Sequence, residues 1–247
     1  MNLIKCNLAN NAGEHLTLLP NIRPFYKEQL IFSNKLSALG CEILIDFDSV
    51  KYYTAFFSNV LMPDIQSDII KYDSFLHDTL MYCMNNIDRY ISSSFRYIFI
   101  NMEVSSLCNV SSLALINQTQ QMLSINGMDL VVEITERNNC GNCARTYEGI
   151  EFLVNNGILL AADDFDYIEN DFRARALRSL VYTFVKLEFP QNKDDEKKFY
   201  DIINSSKKLG INIIVERIED KKSIEEPLFE DIWGLQGFAL CKGMRFN

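Results

Sequence analysis

Short apolar runs that carry acidic residues in or at the end of them dominate this sequence. The runs are CEILID, LVVEIT, ILLAADDF and INIIVE, and their acids are Glu42, Glu133, Asp163, Asp164 and Glu216. Runs of this length are typical of buried strands, and a buried carboxylate is costly unless a cation meets it. If the strands close into one barrel, their ends bring the five acids together. The simplest common cause of the pattern is a divalent metal site.

Eight candidate strands follow from the apolar runs and the turn residues between them. They span residues 26–33, 39–47, 95–101, 129–134, 158–164, 181–188, 211–216 and 232–236. The link between the first two is too short for a crossover helix, which predicts an antiparallel pair. Later strands alternate with helical patterns that stop at Gly157 and Gly210, which predicts parallel strands. We therefore expect an α/β fold, a single TIM-like (βα)8 barrel over residues 26–247, preceded by an irregular extension over residues 1–25.

Composition excludes several other classes of protein. A formal charge of −9 over 247 residues argues against direct nucleic-acid binding, which needs a basic surface. There are two histidines, His15 and His77, so enzymes that use histidine as a base are disfavoured. Seven scattered cysteines and no secretory signal favour the reducing cytoplasm. No apolar stretch reaches the roughly 20 residues of a membrane span, so we expect no membrane contact.

The remaining candidate ligands are mostly oxygen donors. Hard oxygen ligands favour Mg²⁺ or Mn²⁺, and Asn101 at the end of YIFIN adds an amide oxygen to the five acids. Lys186 in TFVKLE is the cation that the strands deliver to the same end of the barrel. There it could accept a proton from a metal-bound water or balance the negative charge. One strand-terminal acid is more often a solvent-facing cap, but this combination favours a metal site.

Several segments, in order along the chain, resemble the EAL-domain phosphodiesterases that hydrolyse cyclic di-GMP. They are Glu42-Ile43-Leu44, INMEVSSL with Asn101, Glu133-Ile134-Thr135-Glu136, Asp163-Asp164-Phe165, Val185-Lys186-Leu187-Glu188, Val215-Glu216-Arg217-Ile218-Glu219 and Gln236-Gly237-Phe238. The resemblance covers residues 26 to 245, and it implies a TIM-like barrel with an antiparallel first strand pair.

The resemblance also implies roles for these residues. Two Mg²⁺ or Mn²⁺ ions would be held by Glu42, Asn101, Glu133, Asp163, Asp164 and Glu216. The implied catalytic group is Lys186, Glu42 and Glu219, which would act in hydrolysis of cyclic di-GMP to pGpG. Gln29 and Gln236 match substrate-binding positions, and Glu136 matches a glutamate that anchors the loop after the Asp pair.

The chain departs from the family pattern at three places. Asp166, Tyr167 and Ile168 stand where the family has a glycine-containing loop after Asp-Asp-Phe, so that loop cannot be built in the same way. Asp46 stands in place of an arginine, which removes a phosphate clamp and adds a repelling charge. Arg217 replaces a glycine beside Glu216, where it is expected to pair with an acid and take the place of a metal. These changes weaken the expected affinity for cyclic di-GMP.

Two functions remain open, and a third, a metal-bound cyclic di-GMP sensor that does not hydrolyse its ligand, is disfavoured because the substrate clamp that a sensor needs is lost. The favoured one is a degenerate EAL-domain protein, inactive or weakly active as an enzyme, that regulates motility, flagellar gene expression or virulence by binding a protein partner. Stand-alone EAL-like proteins of enteric bacteria include members of similar size that bind the flagellar transcription activator, so the resemblance implies a partner of this kind. The alternative is an active Mg²⁺- or Mn²⁺-dependent cyclic di-GMP phosphodiesterase that produces pGpG.

Overall fold

The computed structural model describes most of the predicted barrel. The described residues are 25–46, 65–135, 143–166, 173, 177, 179–190, 192–220 and 231–245, with only the backbone described at 65–72, 193 and 194. The predicted extension over residues 1–25 lies outside them except for Phe25.

Nine strands occur in the described residues. They are β1 (Tyr26–Phe32), β2 (Ala38–Ile45), β3 (Tyr97–Met102), β4 (Asp129–Ile134), β5 (Leu159–Ala162), β6 (Phe184–Glu188), β7 (Asn212–Glu216), β8 (Gly234–Leu235) and β9 (Met244–Arg245). The first eight coincide with the eight predicted strands. β5 ends earlier than predicted, so Asp163 and Asp164 lie in the turn that follows it. β9 was not predicted, because two residues are too few for an apolar pattern.

Helices fill the connections that the structure describes. They are α1 (Ile65–Asn85), α2 (Ile87–Ser92), a 3-10 helix (Val104–Cys108), α3 (Val110–Ile125), α4 (Ala144–Asn155) and α5 (Lys193–Lys208). The Asn109 side chain caps α3 by accepting a hydrogen bond from Ser111 N at 2.9 Å. Gly157 and Gly210 follow α4 and α5 with φ of 71° and 72°, which confirms the predicted stops. Within the described chain, none of these helices has the length and apolar character needed to cross a membrane.

The strands close into a barrel. β2 to β8 run side by side in parallel, in the order of the sequence. β1 is antiparallel to β2 on one side and to β8 on the other, which closes the sheet. β9 adds to β1 through Lys27 and Glu28. A TIM-like barrel with an antiparallel first strand pair is therefore confirmed.

Two apolar cores result from the alternation of side chains along each strand. A large core fills the space between the strands and the helices. A small one fills the inside of the barrel and consists of Ile31, Phe99, Val131, Ala161, Phe184 and Ile214. The Phe99 and Phe184 rings meet edge to face with centroids 5.5 Å apart. This inner core forms an apolar layer beneath the carboxyl ends of the parallel strands.

Candidate metal centre

The polar residues of the barrel mouth lie one layer above the inner core. Because side chains alternate along a strand, the residue two positions after an inward-facing residue also faces inward. The inner-core residues of β3, β4, β5, β6 and β7 are Phe99, Val131, Ala161, Phe184 and Ile214. The residues two positions later are Asn101, Glu133, Asp163, Lys186 and Glu216. β2 contributes Glu42, whose backbone pairs with that of Gln29 across the antiparallel pair.

Lys186 lies among the carboxylates, which we call the acid cluster: Glu42, Glu133, Asp163, Asp164 and Glu216. Its side chain is 1% exposed, and Nζ lies within 3.1 Å of four carboxylate oxygens. These are Glu216 Oε1 at 2.7 Å, Glu133 Oε1 at 2.9 Å, and Glu42 Oε2 and Asp163 Oδ1 at 3.1 Å. Burial alone would lower the pKa of Lys186, but the four acids raise it well above its ordinary value. The lysine is therefore a cation inside the barrel.

Amide side chains hold Glu42 in place. Asn101 Nδ2 donates to Glu42 Oε1 at 2.7 Å, and Gln236 Nε2 donates to Glu42 Oε2 at 2.6 Å. Gln236 Nε2 also lies 3.2 Å from Gln29 Oε1, so both predicted substrate-binding glutamines adjoin this carboxylate. Burial alone would raise the pKa of Glu42, but Lys186 and these donors more than offset it and lower the pKa. Glu42 is therefore ionised and fixed in orientation.

The carboxylate of Glu133 lacks the hydrogen-bond donors that Glu42 has. It is fully buried, and neither of its carboxylate oxygens accepts a hydrogen bond, although Oε1 lies within ion-pair distance of Lys186. The contact with Lys186 thus lacks the direction that a hydrogen bond requires. Burial and the charge of Glu42 raise the pKa of Glu133 well above its ordinary value. A buried carboxylate without a donor is costly and calls for a further cation or a proton.

Three members of the acid cluster form a compact group of donors. One carboxylate oxygen from each of Asp163, Asp164 and Glu216 lies within 4.8 Å of the others. Burial, and then the neighbouring acids, raise the pKa of Glu216 to about 8 against the pull of Lys186. Burial and Asp163 raise the pKa of Asp164. With all five carboxylates ionised, the acid cluster and Lys186 would carry four negative charges, which two divalent cations would neutralise. Hard oxygen donors in this number fit Mg²⁺ or Mn²⁺.

The structure also shows where two of the residues that depart from the family pattern lie. Asp46 is buried and forms a two-pronged ion pair with Arg245 of β9, through Nε to Oδ2 and through Nη2 to Oδ1 at 3.3 Å. Its charge is thus met by a guanidinium. Arg217 has φ of 54° and pairs with Glu188 at 2.7 Å. Its side chain forms no ion pair with the acid cluster, but its charge acts to lower the pKa of Asp164.

For the other predicted site residues, the structure shows no contact with the acid cluster or does not describe the residue. Glu219 is exposed, and its side chain makes no hydrogen bond or ion pair with the described part of the chain. Asp166 is exposed two residues after Asp164. Glu136, Tyr167 and Ile168 lie outside the described residues.

Sequence patterns did not identify two arginines that support this end of the barrel. Arg245 lies on the short strand β9, and Arg173 lies downstream of the Asp pair, buried to 1% exposure. Neither belongs to an apolar run or to a segment that resembles the family. A buried arginine is found from its contacts in three dimensions, because isolated arginines in a sequence are usually exposed.

Comparison with known proteins identifies the fold. No family model and no curated protein matches the chain. The EAL domain of Xanthomonas citri FimX in complex with c-diGMP matches with a TM-score of 0.69 and 10% identity, over 91% of this chain and 89% of that one. Klebsiella pneumoniae BlrP1, in a calcium and cy-diGMP complex, matches with a TM-score of 0.68 and 16% identity, over 92% of this chain and 59% of that one.

A third structure of the same kind is the EAL enzyme Bd1971 in its cAMP- and cyclic-di-GMP-bound form. It matches with a TM-score of 0.67 and 16% identity over 90% of this chain, and the chain spans 62% of its length. At such identities the likeness shows that this chain has the fold of an EAL domain.

Proposed function

We propose that the mouth of the barrel binds Mg²⁺ or Mn²⁺ and, through these ions, a phosphodiester of the cyclic di-GMP class. The observation that carries this proposal is the convergence of the acid cluster on Lys186, so that five carboxylates share one cation from the protein. Solved structures of the same fold hold cyclic di-GMP, and one of them also holds calcium. A phosphodiester is an anion, so it needs the cations to approach an acidic site.

The ligands of the ions would be the acid cluster and Asn101. Bound divalent ions polarise a phosphodiester and lower the pKa of a bound water. Lys186 holds a proton at Nζ and balances charge among the acids, and Glu42 is oriented by Asn101 and Gln236. Gln29 and Gln236 would present amides to the ligand beside Glu42. These residues would bind and orient the ligand at the mouth of the barrel.

We propose further that turnover to pGpG is slow or absent. Position 46 is an aspartate, so it offers no guanidinium to a phosphate. The guanidinium nearby, that of Arg245, is paired with Asp46. Asp166 adds a carboxylate two residues after Asp164, which belongs to the acid cluster. Each such charge opposes an anionic ligand by about 1 kcal/mol at 4 Å in water and by more at protein-like dielectric.

Two measurements on the purified protein test these proposals. Calorimetric titration with Mn²⁺ is expected to show binding that is lost in Glu216→Gln, because the substitution removes one charged donor. Chromatography after incubation with Mn²⁺ and cyclic di-GMP is expected to show little pGpG. A wild-type protein that fails to bind Mn²⁺ would refute the metal site, and steady pGpG formation abolished by Glu42→Ala would refute slow turnover.

A second candidate function is a regulatory scaffold. Lys186 already meets four carboxylates, so the protein supplies part of the charge balance from its own side chains. A barrel supported in this way can present its outer surface to a partner without turning over a nucleotide. The proposed partner is a flagellar transcription activator in the bacterial cytoplasm, and the proposed effect is on motility. Binding of the two purified proteins that persists in EDTA and in Glu216→Gln would favour this candidate, whereas no binding would exclude this partner.

A further inference from the structure

Arg173 has the largest fully buried side chain among the described residues, with 1% exposure. An arginine stays charged in a protein, so its guanidinium needs acceptors wherever it is buried. Here the acceptors include main-chain carbonyls at the mouth of the barrel. These carbonyls lie on the backbone that carries the acid cluster.

The guanidinium joins two neighbouring strand ends. Nη1 donates to the carbonyl of Ile134, the last residue of β4, at 2.6 Å, and it also donates to the carbonyl of Asp163. Nη2 donates to the carbonyl of Asp164 at 3.3 Å. The guanidinium carbon lies 5.8 Å from the centre of the Phe165 ring. One planar group therefore contacts three consecutive residues of the turn after β5 and the end of the adjacent strand.

Those contacts fall on residues whose side chains belong to the acid cluster. The Asp163 carboxylate lies 3.1 Å from Lys186 Nζ, and the carboxylates of Asp163 and Asp164 group with that of Glu216. Asp164 has φ of 41°, a left-handed conformation that a residue other than glycine adopts only when its surroundings hold it there. Arg173 supplies such a constraint from the carbonyl side of the turn.

We infer that Arg173 is a positioning residue for the metal centre: by hydrogen bonds to the carbonyls of Ile134, Asp163 and Asp164, it fixes the turn so that both aspartates converge with Glu216 on a divalent cation. This inference rests on the proposed metal site. Arg173 does not contact the cation. Its planar fork presents two nitrogens to carbonyls spread along the turn, whereas a lysine has one nitrogen from which to donate.

The test is Mn²⁺ binding at a temperature where circular dichroism shows each variant folded. The signal of free Mn²⁺ in electron paramagnetic resonance reports the bound fraction. Arg173→Met removes the donors and keeps a long side chain, and we expect it to weaken Mn²⁺ binding at least tenfold. Arg173→Lys keeps the charge and one donor nitrogen, and we expect a smaller loss of affinity. If the Met variant does not fold, the Lys variant alone decides the test.

The matched control is Arg89→Met. Arg89 pairs with buried Glu28 and donates to Tyr82 Oη on the helix side of β1. Its loss is expected to reduce stability without changing Mn²⁺ affinity. Arg173 variants that fold and bind Mn²⁺ within twofold of wild type would overturn the inference while leaving the metal site intact. A wild-type protein that binds no Mn²⁺ would instead overturn the proposed function, and this inference with it.

Discussion

Lys186 Nζ lies 2.7 Å from Glu216 Oε1, and this is the shortest of the four ion pairs that the lysine makes inside the barrel. Both side chains are largely buried, at 1% and 12% exposure. A buried cation among several acids is balanced only as a group, because removing it leaves the acids uncompensated. Lys186 is thus tied to the stability of the fold as well as to any chemistry at the site.

Lys186→Met is predicted to destabilise the metal-free protein by about 3–5 kcal/mol, because it leaves buried carboxylates without their cation. Urea unfolding in EDTA measures the change. Added Mn²⁺ is expected to restore part of the loss, because the metal takes over the charge balance. The control is Lys207→Met: Lys207 pairs with Asp231 on the surface at 60% and 50% exposure, and its loss should cost less than about 1 kcal/mol. Equal effects of the two substitutions would contradict the prediction.

The stability of the metal-free protein is predicted to fall as the pH rises from about 5 to 8. The pKa of Glu216 is raised from 4.5 to about 8 in the folded state. Between these values the folded state keeps a proton that the unfolded state has lost, so raising the pH favours unfolding. The slope for one such group is at most about 1.4 kcal/mol per pH unit.

Denaturant midpoints measured in EDTA across this pH range check the prediction. Glu216→Gln should flatten the slope, because amides do not titrate. Saturating Mn²⁺ should reverse the trend, since metal binding needs the ionised acids. A wild-type midpoint that stays constant or rises with pH would show that Glu216 is ionised throughout this range.

The eight strands from β1 to β8 could be predicted because each lies in an apolar run bounded by turn residues. The same alternation explains why residues such as Asn101 and Glu133 meet at one end: each follows an inner-core residue by two positions. The contacts that link distant parts of the chain could not be predicted. Arg245 meets Asp46 through β9, and Arg173 meets the carbonyls after β5, and neither contact leaves a periodic pattern in the sequence.

The departures from the family pattern were easier to find than to interpret. Asp46 was expected to present an open negative charge, but Arg245 neutralises it. Arg217 was expected beside an acid of the metal site, but its partner is Glu188, the residue that ends β6. In both cases the sequence shows the changed residue and not its new neighbour, because the neighbour lies on another strand.

Arg217→Gly is predicted to stabilise the protein by up to about 1 kcal/mol. Arg217 has φ of 54°, a conformation that costs a residue with a Cβ atom roughly 1–2 kcal/mol and that glycine adopts freely. The substitution also removes the pair with Glu188, but both side chains are well exposed, so this loss is small. Urea unfolding of Glu188→Gln isolates the ion pair. A loss of stability in Arg217→Gly larger than that in Glu188→Gln would contradict the backbone argument.

The Asp46–Arg245 pair is predicted to tolerate exchange of its two charges but not reversal of one. Asp46→Arg alone places a guanidinium at a buried position beside Arg245, whose side chain is 57% exposed, and should destabilise the protein by about 1–3 kcal/mol. Asp46→Arg with Arg245→Asp restores an opposite pair and should recover at least half of that loss. A double-mutant cycle by urea unfolding measures the coupling. Additive effects of the two substitutions would show that the pair contributes nothing.

The same exchange tests whether position 46 limits ligand affinity. In the double variant a guanidinium stands at position 46, where a fork of donors suits a phosphate. Calorimetry with cyclic di-GMP and Mn²⁺ is therefore expected to show a gain of roughly 1.5–3 kcal/mol, the contribution of a hydrogen bond to a charged group. The single variant Arg245→Gln is the control, because it removes the guanidinium that pairs with Asp46 and should bind more weakly than wild type. If both variants bind as the wild type does, the ligand does not approach this position.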